Sequence, residues 1–187
     1  VENSATIKIS PNGLIEFNAI EADKGIHLKN ADLVPYKTVA EITKIVNEVW
    51  RAMGEEKPPE LYLVSDLAKA QSGDFVVKMN YSFGGIPVIT QSEDDVLFGN
   101  AVYAHIKNGY LTSFKMVLRT FQGIDEATTL SPVITAMDIL AKKFSSSPNT
   151  VKVEDIFKCY SSEGSQPEAV WGVKLSDQNN VVIISSN

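Results

Sequence analysis

A chain of 187 residues with 44% hydrophobic side chains can fill the core of one large domain or two small ones, and 21% charged residues is the share of a soluble globule, not of a disordered chain. The formal charge of −6 argues against nucleic acid or an anionic membrane surface as a partner, since either requires clustered Lys and Arg. The single cysteine, Cys159, excludes an intramolecular disulfide and a cysteine-rich zinc site.

The first predicted element is a hairpin over 6–20, where "TIKIS" and "LIEFNAI" flank the turn residues Pro11-Asn12-Gly13. From Thr38 the apolar period becomes helical. Val39, Ile42, Val46, Val49 and Met53 fall on one stripe, and Ile45 and Trp50 widen it. Thr38 and Glu41 have the spacing of a capping box, Gly54 stands where the helix should stop, and Pro58-Pro59 bar its continuation. Past a loop near Gln71-Ser72-Gly73, the residues Phe75, Val77, Met79, Tyr81 and Phe83 alternate with Val76, Lys78, Asn80 and Ser82, the period of a half-buried strand. Gly84-Gly85 predicts a bend and not a phosphate cradle, because neither a Lys-Ser/Thr pair nor an amphipathic helix follows. The next segment, "IPVIT", reads as a short strand whose Pro87 suits an edge.

"VYAHIKNGYLTSFKMVLRTF" is a second hairpin, with Asn108-Gly109 as a type I′ turn. Ser131 and Pro132 then predict a helix with Ser as N-cap and Pro in the first helical position, its buried stripe being Val133, Met137, Leu140 and Phe144. "SSSPN" ends that helix. "VKVEDIFKCYS", "EAVWGVKLS" and "VVIIS" follow as strands, the last two joined by Asp177-Gln178-Asn179-Asn180. Two helices among so many strands cannot supply the crossovers of a parallel α/β fold. The expected class is therefore α+β, with antiparallel sheets each packed by one helix, in two helix-plus-meander units. The division is placed at 1–125 and 126–187, either as two domains or as one continuous body.

Chemistry is sparse along this chain. His27 and His105 are the only histidines and no H-x-x-x-H spacing occurs, so no metal residue is assigned. Glu93-Asp94-Asp95 lacks the Gly and distal Glu of an EF-hand loop and reads as a solvated acidic run. Glu154 and Asp155 point to opposite faces of a regular strand and make no acid/base dyad. No Ser lies in G-x-S-x-G or S-x-x-K. Cys159, among alternating strand residues, reads as a buried inert thiol, and Trp50 and Trp171 as core anchors. Asn80-Tyr81-Ser82 matches the glycosylation sequon, but a strand makes it a poor acceptor. His105, on one strand face with Tyr103 and Lys107, reads as an ordinary strand residue; acid/base work would require a cleft that brought a carboxylate beside it. No catalytic, cofactor-binding or metal residue is assigned, and no cofactor is expected.

The succession Gly85-Ile86-Pro87-Val88, then the Asn108-Gly109 hairpin, then the helix from Ser131 to Leu140, then Pro167 and Trp171 in a strand resembles the YycH/YycI-type accessory proteins of a Gram-positive cell-wall two-component system. Pro167 and Trp171 stand further apart than the family pattern has them. The resemblance spans 6–185 and implies a non-catalytic extracytoplasmic domain, tethered to the cell membrane by an N-terminal segment not in this chain. Its implied partners are a sensor histidine kinase, modulated through protein contacts, and a paralogous accessory protein. The start at Val1, without an initiator Met, is expected on this reading to reflect removal of that anchor. The alternative is a PepSY-like peptide- or ligand-binding inhibitory module, which would display an apolar groove lined by Tyr81, Phe83 or Tyr103.

Overall fold

The computed structural model describes residues 4–29, 35–54, 60–65, 67, 73–89, 100–119, 130–147, 150–162, 168–176 and 181–185. Among them are two helices, α1 (Pro35–Ala52) and α2 (Val133–Lys143), and eleven strands. The strands are β1 (Ala5–Ile9), β2 (Leu14–Ala19), β3 (Ile26–His27), β4 (Glu60–Leu63), β5 (Asp74–Phe83), β6 (Ile86–Ile89), β7 (Val102–Lys107), β8 (Tyr110–Val117), β9 (Val153–Ser161), β10 (Glu168–Leu175) and β11 (Val181–Ile184). The chain forms two compact units, and neither is contiguous: the first comprises 1–81 and 100–119, the second 82–99 and 120–187. The class is α+β with mostly antiparallel pairing, as the element order predicts.

In the first unit the strand order is β1-β2-β8-β7-β5, with β3 added to β8 and β4 to β5. The β1–β2 hairpin turns as predicted at Pro11-Asn12-Gly13, where the Gly13 N–H donates to the Ser10 carbonyl and Asn12 Oδ1 accepts from the Leu14 N–H. The β7–β8 hairpin turns at Asn108-Gly109, both with positive φ, as a type I′ turn demands. Cross-strand register aligns Met79, Val102, Met116 and Ile15 in one row, and Val77, Ala104, Phe114 and Phe17 in the next. Directly opposite residues share a face, so these rows form one apolar layer. The buried stripe of α1, Ile42, Val46 and Trp50, packs on it: the Trp50 ring meets Tyr81 edge-on with centroids 6.0 Å apart.

Two expectations for α1 need correcting. The helix begins at Pro35, which makes Thr38 an interior residue and not a cap. Thr38 is fully buried with no hydrogen bond to its hydroxyl, and a carboxylate oxygen of Glu41 accepts from the Lys29 backbone N–H. Met53 lies just past the helix, which ends at Ala52, and is exposed, and Gly54 follows it with φ +91° as the stop.

In the second unit β9–β10 and β10–β11 are antiparallel, and β6 runs parallel to β9 with Val88 opposite Tyr160 and Ile89 opposite Ser161. This parallel pair departs from the expected all-antiparallel sheets. It also corrects the edge assignment of "IPVIT", since β6 lies between the end of β5 and β9, with Pro87, Val88 and Ile89 all buried. The turn into β6 is made by Gly84 (φ +55°) and Gly85 (φ +78°), a bend as predicted. The space around both is open, so backbone conformation and not crowding selects glycine there.

Helix α2 covers one face of this sheet: Ala136 and Leu140 pack with Val173, Leu175 and Ile184, and Met137, Phe144 and Trp171 border them. Val133, placed in the stripe by periodicity, is exposed, and Ala136 takes its share of the burial. The cap also differs from expectation. Pro132 occupies the N-cap position without a side-chain bond, while Ser131 offers its carbonyl to the Trp171 indole N–H at 2.9 Å. Trp171 thus ties the start of α2 to β10. The predicted turn 177–180, the acidic run 93–95, Gln71-Ser72 and Pro167 lie outside the described residues.

Candidate functional site

The face of the first unit opposite α1 carries the polar side chains of the strands. Across it, register aligns Lys78, Tyr103, Lys115, Glu16 and Lys8. Glu16 binds both neighbours in that row, with one oxygen 3.4 Å from Lys115 Nζ and the other 3.5 Å from Lys8 Nζ. Partial burial lowers the pKa of Lys78 from its ordinary value and raises that of Tyr103; the charge of Lys115 works against the Tyr103 shift and that of Asp74 adds to it.

One row along lies His105. The structure puts beside it a carboxylate that sequence reading did not find: Asp74, 31 positions away, whose Oδ1 is 2.7 Å from His105 Nε2. Asp74 opens β5 opposite Lys107, so it sits diagonally from His105 across the β5–β7 pair. The missing signal was the strand register, which a single sequence does not display. On the other side of the ring, Thr112 Oγ1 is 3.5 Å from Nδ1 and 3.2 Å from the His105 carbonyl oxygen, to which it can donate.

This is not the geometry of a nucleophilic triad. There the hydroxyl lies within about 2.6–3.2 Å of the imidazole, whose other ring nitrogen holds the carboxylate; here Thr112 Oγ1 is 3.5 Å from the ring and nearer to a backbone carbonyl. Among the described residues no cluster of three His, Cys, Asp or Glu side chains that could hold a metal ion occurs. The pair is half exposed, so it should contribute little to stability. A double-mutant cycle of His105→Ala and Asp74→Ala is expected to give a coupling of about 0.2–1 kcal/mol in denaturant unfolding.

The remaining candidates are dispersed. His27 lies in β3, its ring edge-on to Tyr110 at 5.1 Å; in register it falls in the row of Asp74, Lys107 and Tyr110, but two strands beyond the β7 strand that carries His105. Glu154 and Asp155 fall at a β-bulge where the β9–β10 register shifts, and Glu154 pairs with Lys174 at 3.3 Å. Asn80 is buried in β5, which closes the sequon to glycosylation. Tyr81 is fully buried on the α1 face, whereas Tyr103 belongs to the opposite face, so the two cannot line one groove. Cys159 is buried in the second unit beside Ile89 and Val170, and burial pushes its thiol up to about 12, which makes it inert at neutral pH.

Both Cys159 and Tyr81 are held protonated by burial, Tyr81 well above the ordinary tyrosine range. The unfolded chain therefore releases these protons first as pH rises. Their contribution to stability should be complete below about pH 9 and decline as pH climbs through about 12. Urea unfolding at about pH 8 and about pH 11 checks this, the expected result being a lower midpoint at the higher pH.

What the surface does offer is unpaired apolar area at defined places. On α2, Ile134 is 66% exposed and Val133 43%. On the edge strand β1, Ile7 and Ile9 are 72% and 62% exposed. None of the described helices is long and apolar enough to cross a membrane.

Compared by sequence, the chain matches no protein-family model and no curated protein. Compared by shape, it is similar to YycH from Bacillus subtilis, with a TM-score of 0.61 at 15% identity, over 97% of this chain and 42% of that one. The chain thus spans less than half the length of that structure, and the likeness is one of fold.

Proposed function

We propose that this chain is a non-catalytic regulatory domain, working on the outer side of the cytoplasmic membrane, that modulates a sensor histidine kinase by protein contact. The observation that carries the reading is the YycH-like fold along nearly the whole chain. It is joined by the one imidazole–carboxylate pair in the described residues having Thr112 Oγ1 no closer than 3.5 Å to its other ring nitrogen. Exposed apolar side chains on α2 and β1 supply contact surface of the kind a protein partner covers. A membrane tether outside this chain and a paralogous partner belong to the same proposal. A groove-type peptide module is less well supported, because Tyr81 and Tyr103 face apart.

The test is reconstitution of sensor histidine kinases of the source organism in nanodiscs, with autophosphorylation followed as the purified chain is titrated in. The expected result is a saturable change in the phosphorylation rate. Absence of both binding and rate change would overturn the proposal.

A further inference from the structure

Strand β1 ends the sheet of the first unit: among the described residues its ladder partner is β2 alone. The even-numbered residues face β2 with their backbone groups, as the bonds Ile20 N–H to the Ser4 carbonyl and Ser10 N–H to the Leu14 carbonyl fix the phase of the ladder. Ala5, Ile7 and Ile9 therefore turn their N–H and C=O groups outward, along the free edge. Their side chains lie on the face where α1 packs, because Ile9 is opposite Ile15 and Ile7 opposite Phe17. Yet Ile7 and Ile9 are exposed by 72% and 62%.

Edges of this kind are ordinarily protected by proline, a bulge, a charged side chain such as lysine, or shortness. β1 is short and carries one lysine, but the other two devices are missing. Its register with β2 runs without a shift, it contains no proline, and the charge of its one lysine, Lys8, is engaged by Glu16 on the polar face. Among the described residues this edge is unpaired, regular in register and apolar on one side.

The sequence Ala5-Thr6-Ile7-Lys8-Ile9 also complements itself. Set antiparallel to a copy with Ile7 at the centre, Ile7 meets Ile7, Ala5 meets Ile9, and Thr6 meets Lys8, so apolar faces apolar and no lysine faces a lysine. In that register each of the three outward-facing residues exchanges both backbone hydrogen bonds with its opposite number. A two-fold axis through Ile7 makes the contact isologous, so it closes at two copies and does not propagate. From this we infer that β1 is a homodimerisation edge: two copies of the chain join their first-unit sheets by antiparallel pairing of β1 with β1, and Ile7 and Ile9 become buried in an extended apolar layer. This inference is independent of the kinase reading, since it needs only the first unit and a second copy of it.

Sedimentation equilibrium of the whole chain is expected to show a species of twice 20.5 kDa that dissociates on dilution. The Ile7→Lys/Ile9→Lys variant should remain at the monomer mass with unchanged far-UV circular dichroism, because both side chains are exposed in the monomer and the central pair would become lysine against lysine. Oxidation tests the register. Opposite residues of a hydrogen-bonded antiparallel pair have Cα atoms about 5.5 Å apart, within disulfide reach. Ile7→Cys should form a covalent dimer, whereas Thr6→Cys, which faces the other copy's Lys8, should not; the buried Cys159 gives no background in the unsubstituted chain. A wild-type chain that stays monomeric at all concentrations, a dimer that survives the double lysine substitution, or cross-linking of Thr6→Cys as readily as Ile7→Cys would each overturn the assignment.

Discussion

Replacing Tyr81 with Ala is expected to lower the unfolding free energy by about 3–5 kcal/mol, and replacing it with Phe by about 1–3 kcal/mol. Tyr81 is among the largest fully buried side chains of the first unit, and it holds that unit together in two ways. Its ring stands edge-on to Trp50 and so joins β5 to the last turns of α1. Its hydroxyl donates to the Val117 carbonyl at the end of β8. Phe keeps the ring and leaves a buried acceptor without that donor, whereas Ala removes both and opens a cavity under the helix. Chemical denaturation followed by near-UV circular dichroism separates the two losses. Equal midpoints for the Phe and wild-type proteins would show that the hydrogen bond contributes nothing; equal midpoints for Ala and Phe would show that the ring does not.

What a single sequence displays well is local. The turns Asn12-Gly13 and Asn108-Gly109 are written in residues that tolerate positive φ, and the alternation of β5 and the three-four stepping of α1 follow directly from the geometry of one element. What it hides is non-local. Pro87 suits β6 to an edge, yet its ladder with β9 begins at Val88, one residue past the proline, so the missing N–H costs no bond there. That parallel partner lies about seventy residues away, which no local pattern announces. Ser131 looks like an N-cap until the Trp171 indole, forty positions on, claims its carbonyl. Ala136 escaped the α2 stripe because a reading weighted toward large apolar residues passes over alanine, which can be fully buried while filling little volume.

The candidate site follows the same rule. His105 was visible in the sequence as a strand residue, but its carboxylate was not, because Asp74 reaches it only through the β5–β7 register. The division into units was hidden for a similar reason. The compact units draw on separate stretches of chain: 82–99 groups with 120–187, and 100–119 with 1–81. The segment that carries Gly84-Gly85 and β6 thus leaves one unit within a single strand and contributes to the other before the chain returns.

Leu140→Ala should lower the unfolding free energy by about 2–5 kcal/mol, with a reduced denaturant midpoint and an unchanged dependence on denaturant. Leu140 is buried where α2 meets the second-unit sheet, against Val173, Leu175 and Ile184, and its helical neighbour at the interface is Ala136. Alanine at 136 has no side-chain reach with which to fill the space left by the leucine, and Val173 and Leu175 are fixed on a paired strand, so the cavity should stay largely open and the loss should fall toward the upper part of that range. Ile134 provides the control. It lies on the same helix but is mostly exposed, so Ile134→Ala should change stability by no more than about 0.5 kcal/mol. The ratio of the two effects tests the orientation of α2 more sharply than either value alone, because both substitutions remove a branched four-carbon side chain from one helix and differ in what the side chain covers. Comparable losses at 134 and 140 would mean that the helix is rotated about its axis, with Ile134 turned toward the sheet.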